Sequence, residues 1–186
     1  MTNPATDITE HRYKRHRFPA EIIVHAVWLY HRFPLSLRDV EDLLAERAID
    51  VSFQTVSEWA VKFGRKFADH LRRRSRGKFA DKWHLDEMVV SIKGKKYWLW
   101  RSVDANGYVL DALNNRAENS HLAVRRRERR MMRFKSARQC QSFVSAHGQI
   151  ANLFLLHRKH LAAADHRELR GDAYTAWREV SLLINA

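Results

Sequence analysis

An α+β chain, with helices at both ends and a three-stranded antiparallel meander between them, is predicted by three observations. Before residue 68 the apolar residues recur at helical spacing. From Trp83 to Leu113 the stretch WHLDEMVVSIKGKKYWLWRSVDANGYVLDAL is rich in β-branched and aromatic residues and is interrupted by turn residues. After Asn114 the helical pattern returns.

Residues 1–17 end in His11-Arg12-Tyr13-Lys14-Arg15-His16-Arg17, a basic arm with no apolar period. It either lies along phosphates or is a solvated tail. Pro19 suits the first position of a helix reaching about His31, striped by Ile22, Ile23, Ala26, Val27 and Tyr30, and Pro34 closes it. Ser36-Leu37-Arg38-Asp39 has the form of a capped start, with Asp39 where the helix dipole favours negative charge. Leu37, Val40, Leu43 and Leu44 form that helix's buried face.

After the turn Arg47 to Val51, Ser52 can cap a further helix whose apolar side is Val56, Trp59, Ala60, Phe63 and Phe67. Two helices so joined make a helix-turn-helix, or else an ordinary helical hairpin with a polar outer face. In the first case the start of the second helix enters the major groove. Gln54, Thr55, Glu58 and Lys62 lie off its apolar stripe, where they can touch bases or phosphates. A basic ridge of Arg65, Lys66, Arg72, Arg73, Arg74, Arg76 and Lys78 then leads away from it. Periodicity lapses around Gly77. The expected division is therefore an arm at 1–17, a helix-turn-helix domain at 18–75, a linker at 76–81, a sheet-bearing domain at 82–156 and a helical tail at 157–186.

Within the meander, strands are expected at about 85–92, 97–103 and 108–113, joined through Lys93-Gly94-Lys95 and Asn106-Gly107, the second a sequence that tolerates positive φ. Asp86 falls inside an apolar strand, on the side of Met88 and Val90 by alternation. A carboxylate there requires either an open edge or a cationic partner. Glu87 points the other way. Asp104 and Asp111 fall near strand ends, where turn formation or exposure accounts for them.

NNRAENSHLAVRRRERRMM reads as a helix with Glu118, Leu122, Arg125 and Arg129 along one side. Arg125, two turns past Glu118, can orient that glutamate or bind a phosphate. Six Arg and one Lys face only Glu128 between His121 and Lys135, which favours polyanion contact through residues such as Arg126 and Arg129. Two more helices are expected at about 136–156 and 167–183, with Phe143, Leu153 and Phe154 covering the sheet. His157 and His160 read as surface histidines.

Composition narrows the partner. Of 186 residues 45% are hydrophobic, sufficient for a core, while 34 Lys+Arg against 21 Asp+Glu leave a net charge of +13. So clustered an excess points to a polyanion, nucleic acid first, because each phosphate contact releases condensed counterions. Cys140 stands alone, which excludes an internal disulfide and any cysteine-based zinc cluster. No stretch approaches the roughly 20 apolar residues of a membrane span, so a soluble protein is expected.

Taken in order, WHLDE on a first strand, GKKYWLWRSVDANGYVLD over the next two, and NNRAENSH opening a helix with Arg125 seven residues after Glu118 resemble the insertion-sequence transposases of the DDE class, most of all insertion-sequence family six. LSLRDVEDLLAERAIDVSFQTVSEWAVKF is similar to that family's N-terminal region, and the resemblance runs over about residues 11–156. It implies an RNase H-like domain in which two Asp and one Glu hold two divalent ions, Mg²⁺ or Mn²⁺, for in-line phosphoryl transfer on DNA. Asp86 matches the first carboxylate and Glu118 the last, so catalytic and metal-binding roles fall on them, with Arg125 beside.

The second aspartate has no match. In the family it follows a fourth strand reached by a helical crossover, yet Glu118 stands only 32 positions after Asp86, most of them used by the meander. A crossover alone takes about 10–12 residues. An internal deletion in a truncated RNase H-like domain is inferred, leaving a strand edge and apolar faces uncovered, while the N-terminal helical domain is expected to fold independently. The expected protein is bacterial, cytoplasmic and nucleoid-associated; it binds double-stranded DNA at transposon terminal inverted repeats and lacks strand transfer. The alternatives are a regulator or decoy that co-assembles with an intact transposase, and an active metal-dependent transposase or nuclease with a third ligand. Assembly on paired DNA ends implies at least a homodimer.

Overall fold

The computed structural model describes residues 13, 16–74, 82–92, 95–104, 108–111, 134–155 and 162–182. In chain order these form α1 (Ala20–Arg32), α2 (Leu37–Ala45), α3 (Phe53–Arg74), β1 (Trp83–Ile92), β2 (Lys95–Asp104), β3 (Val109–Asp111), α4 (Ala137–Leu153) and α5 (Ala163–Leu182). The α+β expectation holds at that level. The arm before Tyr13, the linker 76–81, the turn residues Lys93, Gly94, Asn106 and Gly107, the helix expected over 114–132, and His157 and His160 lie outside the described residues.

Helix α1 begins one residue later than expected. Pro19 is its N-cap and not its first residue, and its carbonyl accepts the N–H groups of Ile22 and Ile23 at 3.2 and 3.3 Å. Ile23, Val24, Ala26, Val27 and Tyr30 are buried along one face, and the helix stops before Pro34. Helix α2 opens on a reciprocal cap: the Asp39 N–H donates to Ser36 Oγ at 3.1 Å, while the Ser36 N–H donates to Asp39 Oδ2 at 2.7 Å. Two otherwise orphaned donors are thereby satisfied. Ser36→Ala removes the acceptor and is expected to cost about 1 kcal/mol in urea unfolding. An unchanged midpoint would show that water replaces the cap without loss.

Between α2 and α3 the chain reverses through Ala48, whose φ of 58° is left-handed, and the Ile49 N–H reaches back to the Leu44 carbonyl at 3.0 Å. Ser52 Oγ then accepts the Thr55 N–H at 3.4 Å. Helix α3 runs 22 residues, so most of the expected basic ridge is helix and not an exit from it. Val56, Trp59, Ala60, Phe63, Gly64, Phe67, Ala68 and Leu71 are its buried face.

The sheet has order β1-β2-β3, antiparallel throughout, with Asp86 opposite Arg101 and Val90 opposite Tyr97. Strands β1 and β2 are longer than expected, the described part of β3 is Val109–Asp111, and there is an irregularity at Ser102/Val103. Val90, Ile92 and Val103 are buried, whereas Trp83 and Trp98 are 56% and 58% exposed. One sheet face thus retains open apolar surface. The β2–β3 connection is closed by Asp104, which is buried: its N–H donates to the Tyr108 carbonyl and its Oδ1 accepts the Tyr108 N–H, each at 2.9 Å.

Of Phe143, Leu153 and Phe154, the residues expected to cover the sheet, two find aromatic partners on α1. Phe143 of α4 stacks on His31 at 5.7 Å and meets Tyr30 at 5.9 Å, both on α1, and Phe154 lies 6.2 Å from Trp28. Trp177 of α5 stands edge-on to Phe67 of α3 at 5.2 Å. Buried residues from 13 to 71 and from 134 to 180, with Val90 and Ile92 of β1, belong to one apolar cluster, so the N-terminal helices share their core with the C-terminal ones. The physical reason is capacity: three helices offer more apolar face than they cover among themselves, and α4 and α5 bring the aromatic surface that completes it.

Contact between α4 and the sheet is confined and polar-assisted. Asn152 brackets the Val109 peptide, its Oδ1 accepting the N–H and its Nδ2 donating to the carbonyl, both at 2.8 Å; Gln149 Nε2 donates to the same carbonyl at 3.0 Å. Side-chain amides there stand in for a neighbouring strand at an edge position. Among the described residues no helix is long and apolar enough to cross a membrane.

Candidate nucleic-acid interface and the sheet carboxylates

The outward face of α3 follows from its inward one. With Val56, Trp59, Ala60, Phe63 and Phe67 committed to the core, the helical period leaves Gln54, Glu58, Lys62, Arg65 and Lys66 exposed on a single stripe. Thr55, also expected there, is half-buried, and its hydroxyl is 3.1 Å from that of Ser52, so it serves the start of the helix. Arg73 is exposed and Arg72 half-buried. Arg74 is engaged by α5: its Nη1 donates to Glu179 Oε2 at 2.8 Å. The described cations of the ridge thus divide into an open group on the middle of α3 and a tethered one at its end.

The arm contributes what the sequence did not single out. Tyr13 is buried, its ring 5.0 Å from Phe63 and its hydroxyl donating to the Ser181 carbonyl at 2.8 Å. His16 sits edge-on to Phe63 at 5.3 Å, and Phe18 edge-on to Trp59 at 5.5 Å. Tyr13, His16 and Phe18 are therefore held along α3, and His16 Nε2 lies 2.9 Å from Lys62 Nζ. The available signal was the interleaving of Tyr13, His16 and Phe18 with the basic residues, which gives the arm an aromatic side to lay on a helix. Burial lowers the His16 pKa below its usual 6.5, the Lys62 ammonium lowers it further, and Glu58 opposes both.

On the sheet, the register sets Asp86 of β1 across from Arg101, four positions before the buried Val90. Glu118, Arg125, Arg126 and Arg129 lie outside the described residues. Asp104 is occupied in closing its hairpin. Among the described residues, no group of three or more His, Cys, Asp or Glu side chains is placed to hold a metal ion. The described part of the chain thus does not supply the ligand set of a two-ion centre, and no chemical step is derived through one.

A basic helical stripe beside an antiparallel meander that carries an aspartate on its first strand is the arrangement to be set against known proteins. The DDE-domain family matches residues 80–113, the meander itself. The chain is similar to a DDE domain there, and to transposases of insertion sequences over a longer stretch. It is 34% identical over 112 residues to the transposase for insertion sequence-like element IS431mec of Staphylococcus aureus, strain Mu50, covering 60% of this chain and 49% of the relative. To the transposase for insertion sequence element IS257 in transposon Tn4003 of Staphylococcus aureus it is 33% identical over 112 residues, with the same coverage. The chain therefore spans about half the length of these relatives. No solved structure matches it.

Proposed function

We propose that the chain binds double-stranded DNA at transposon ends through α2 and α3 acting as a helix-turn-helix, and that it does not carry out strand transfer. The observation that carries the reading is the exposed stripe of Gln54, Glu58, Lys62, Arg65 and Lys66 on a helix whose reverse face is locked in the core. Gln54 and Glu58 occupy the first turns, where a recognition helix meets base edges, and the three cations follow where phosphates flank the groove. Thr55 acts on this reading by fixing the start of the helix, and Arg72, Arg73 and Arg74 border the site. Arg126 and Arg129 add non-specific attraction to the same polyanion.

Loss of strand transfer rests on spacing. The meander takes up most of the 32 positions between Asp86 and Glu118, which leaves no room for a crossover of about 10–12 residues carrying a further strand and its aspartate. Asp86 and Glu118, with Arg125 alongside, are then the remnant of a site for Mg²⁺ or Mn²⁺ in a truncated RNase H-like domain. Partnership with an intact transposase or with a second copy fits a chain of this kind.

The test uses labelled duplex carrying the element's terminal repeats, with Mg²⁺ or Mn²⁺, and the Asp86→Ala and Glu118→Ala variants. End-specific binding without cleaved or joined product is expected, and both variants should bind as the parent does. Metal-dependent product lost in both variants would establish an active enzyme with a third ligand. Each of Lys62→Ala, Arg65→Ala and Lys66→Ala should lower the slope of log affinity against log salt by about 1.

A further inference from the structure

We propose that His16 and Lys62 form one phosphate-binding site on the flank of α3, and that His16 takes up a proton from solvent as the phosphate arrives. The inference rests on the DNA-binding reading above and specifies one contact within it, together with its dependence on pH.

An ammonium group only donates hydrogen bonds, so at 2.9 Å the His16 Nε2 must accept from Lys62 Nζ. This contact favours the neutral ring in the free protein. Its position is built by the aromatic contacts described above: Phe63 supports it edge-on, Tyr13 anchors the segment through the buried hydroxyl, and the His16 N–H donates to the Tyr13 carbonyl at 3.0 Å. Among the described residues the charged groups that bear on the ring are Lys62 and Glu58, both on α3, with Arg17 next in sequence. Burial and the ammonium disfavour the imidazolium and the Glu58 carboxylate favours it, the first two prevailing.

A phosphodiester oxygen arriving between the two nitrogens reverses that balance. Protonation of Nε2 in the free protein breaks its hydrogen bond and sets two cations side by side. With an anion present, the Nε2–H and Nζ–H both donate to it, and the repulsion becomes shared attraction. The proton comes from water and no other bond changes. The location suits this role, since Lys62 lies eight residues after Gln54, about 12 Å along the helix axis, which is about the width of the major groove. A helix whose first turn reads bases sets this pair level with the sugar-phosphate backbone.

The experiment is fluorescence anisotropy of the full chain with a labelled duplex from pH 5.5 to 8 at constant ionic strength, beside His16→Gln and His16→Arg, with a histidine-resolved NMR titration with and without the duplex. Affinity of the parent should rise as pH falls, at most about tenfold per unit between the free and bound pKa values. His16→Gln should flatten this slope by up to one proton. His16→Arg should bind more tightly than the parent at pH 8 and share the flattened slope, and the His16 resonance should titrate at higher pH when DNA is bound. A His16→Gln slope equal to the parent's, or a His16 resonance whose titration DNA does not move, overturns the proposal. Absence of binding by the parent at any pH instead removes the DNA-binding reading, and this inference with it.

Discussion

Trp177→Ala should lower the stability of the helical core by about 3–5 kcal/mol, the range for removing a large aromatic side chain from a packed interior. Trp177 is almost fully buried and stands edge-on to Phe67 of α3, which in turn stacks on Phe63. Phe63 carries the Tyr13 ring, and the Tyr13 hydroxyl returns to α5 at the Ser181 carbonyl. One side chain thus connects the C-terminal helix, the proposed recognition helix and the arm beside it. For a chain of this size each kcal/mol moves the melting temperature by roughly 2–4 °C, so a fall of about 6–20 °C is expected in a thermal scan. DNA affinity should weaken at temperatures where the parent is still folded. Trp98→Ala is the matched control, because Trp98 lies on the exposed sheet face and its loss should stay within about 0.5 kcal/mol. Equal melting temperatures for the parent and Trp177→Ala would contradict the packing of α5 on α3.

The elements were legible in the sequence where a local rule sufficed. Apolar residues at helical spacing located α1 to α3, Ser36 and Asp39 marked the start of α2, and the outward stripe of α3 followed once Val56, Trp59 and Phe63 were assigned inward. The alternation around Trp83 to Leu113 revealed the meander but not its ends, since whether Lys95 or Asp104 still pairs depends on the partner strand and not on its own preference. What a local rule cannot decide is which surface an apolar face meets. Phe143 and Phe154 were recognisable as inward-facing, yet nothing local showed that they would meet aromatic rings of α1. Nothing local marked Gln149 and Asn152 as the side chains that satisfy the Val109 peptide. Of the proposed site, Lys62 was visible from helical period alone. Its neighbour His16 was not, because their approach depends on how the arm folds back across 46 positions of chain.

Gly64→Ala should destabilise the protein although alanine is the better helix former, and the sign of the effect reports how closely α3 packs on α1. A Cβ at Gly64 would lie 2.6 Å from His31 Nε2 and 3.3 Å from its Cδ2. The ring has little room to retreat: it stacks on Phe143, Phe143 stacks on His147 at 5.2 Å, and His147 Nδ1 donates to the His31 carbonyl at 2.9 Å. Overpacking of this kind costs about 1–3 kcal/mol, against a gain of about 1 kcal/mol from replacing a glycine inside a helix. The overpacking term should prevail. Gly171 of α5 provides the comparison, for a Cβ there meets nothing within 4 Å. Gly171→Ala should therefore stabilise by up to about 1 kcal/mol, and the two variants should move the urea midpoint in opposite directions. Coupling to the ring is separable: if the cost arises at His31, Gly64→Ala made in a His31→Ala background should lose less than it does alone. Stabilisation by both glycine replacements would mean that His31 yields freely, and that the helix pair which aims α3 outward is packed more loosely than these distances require.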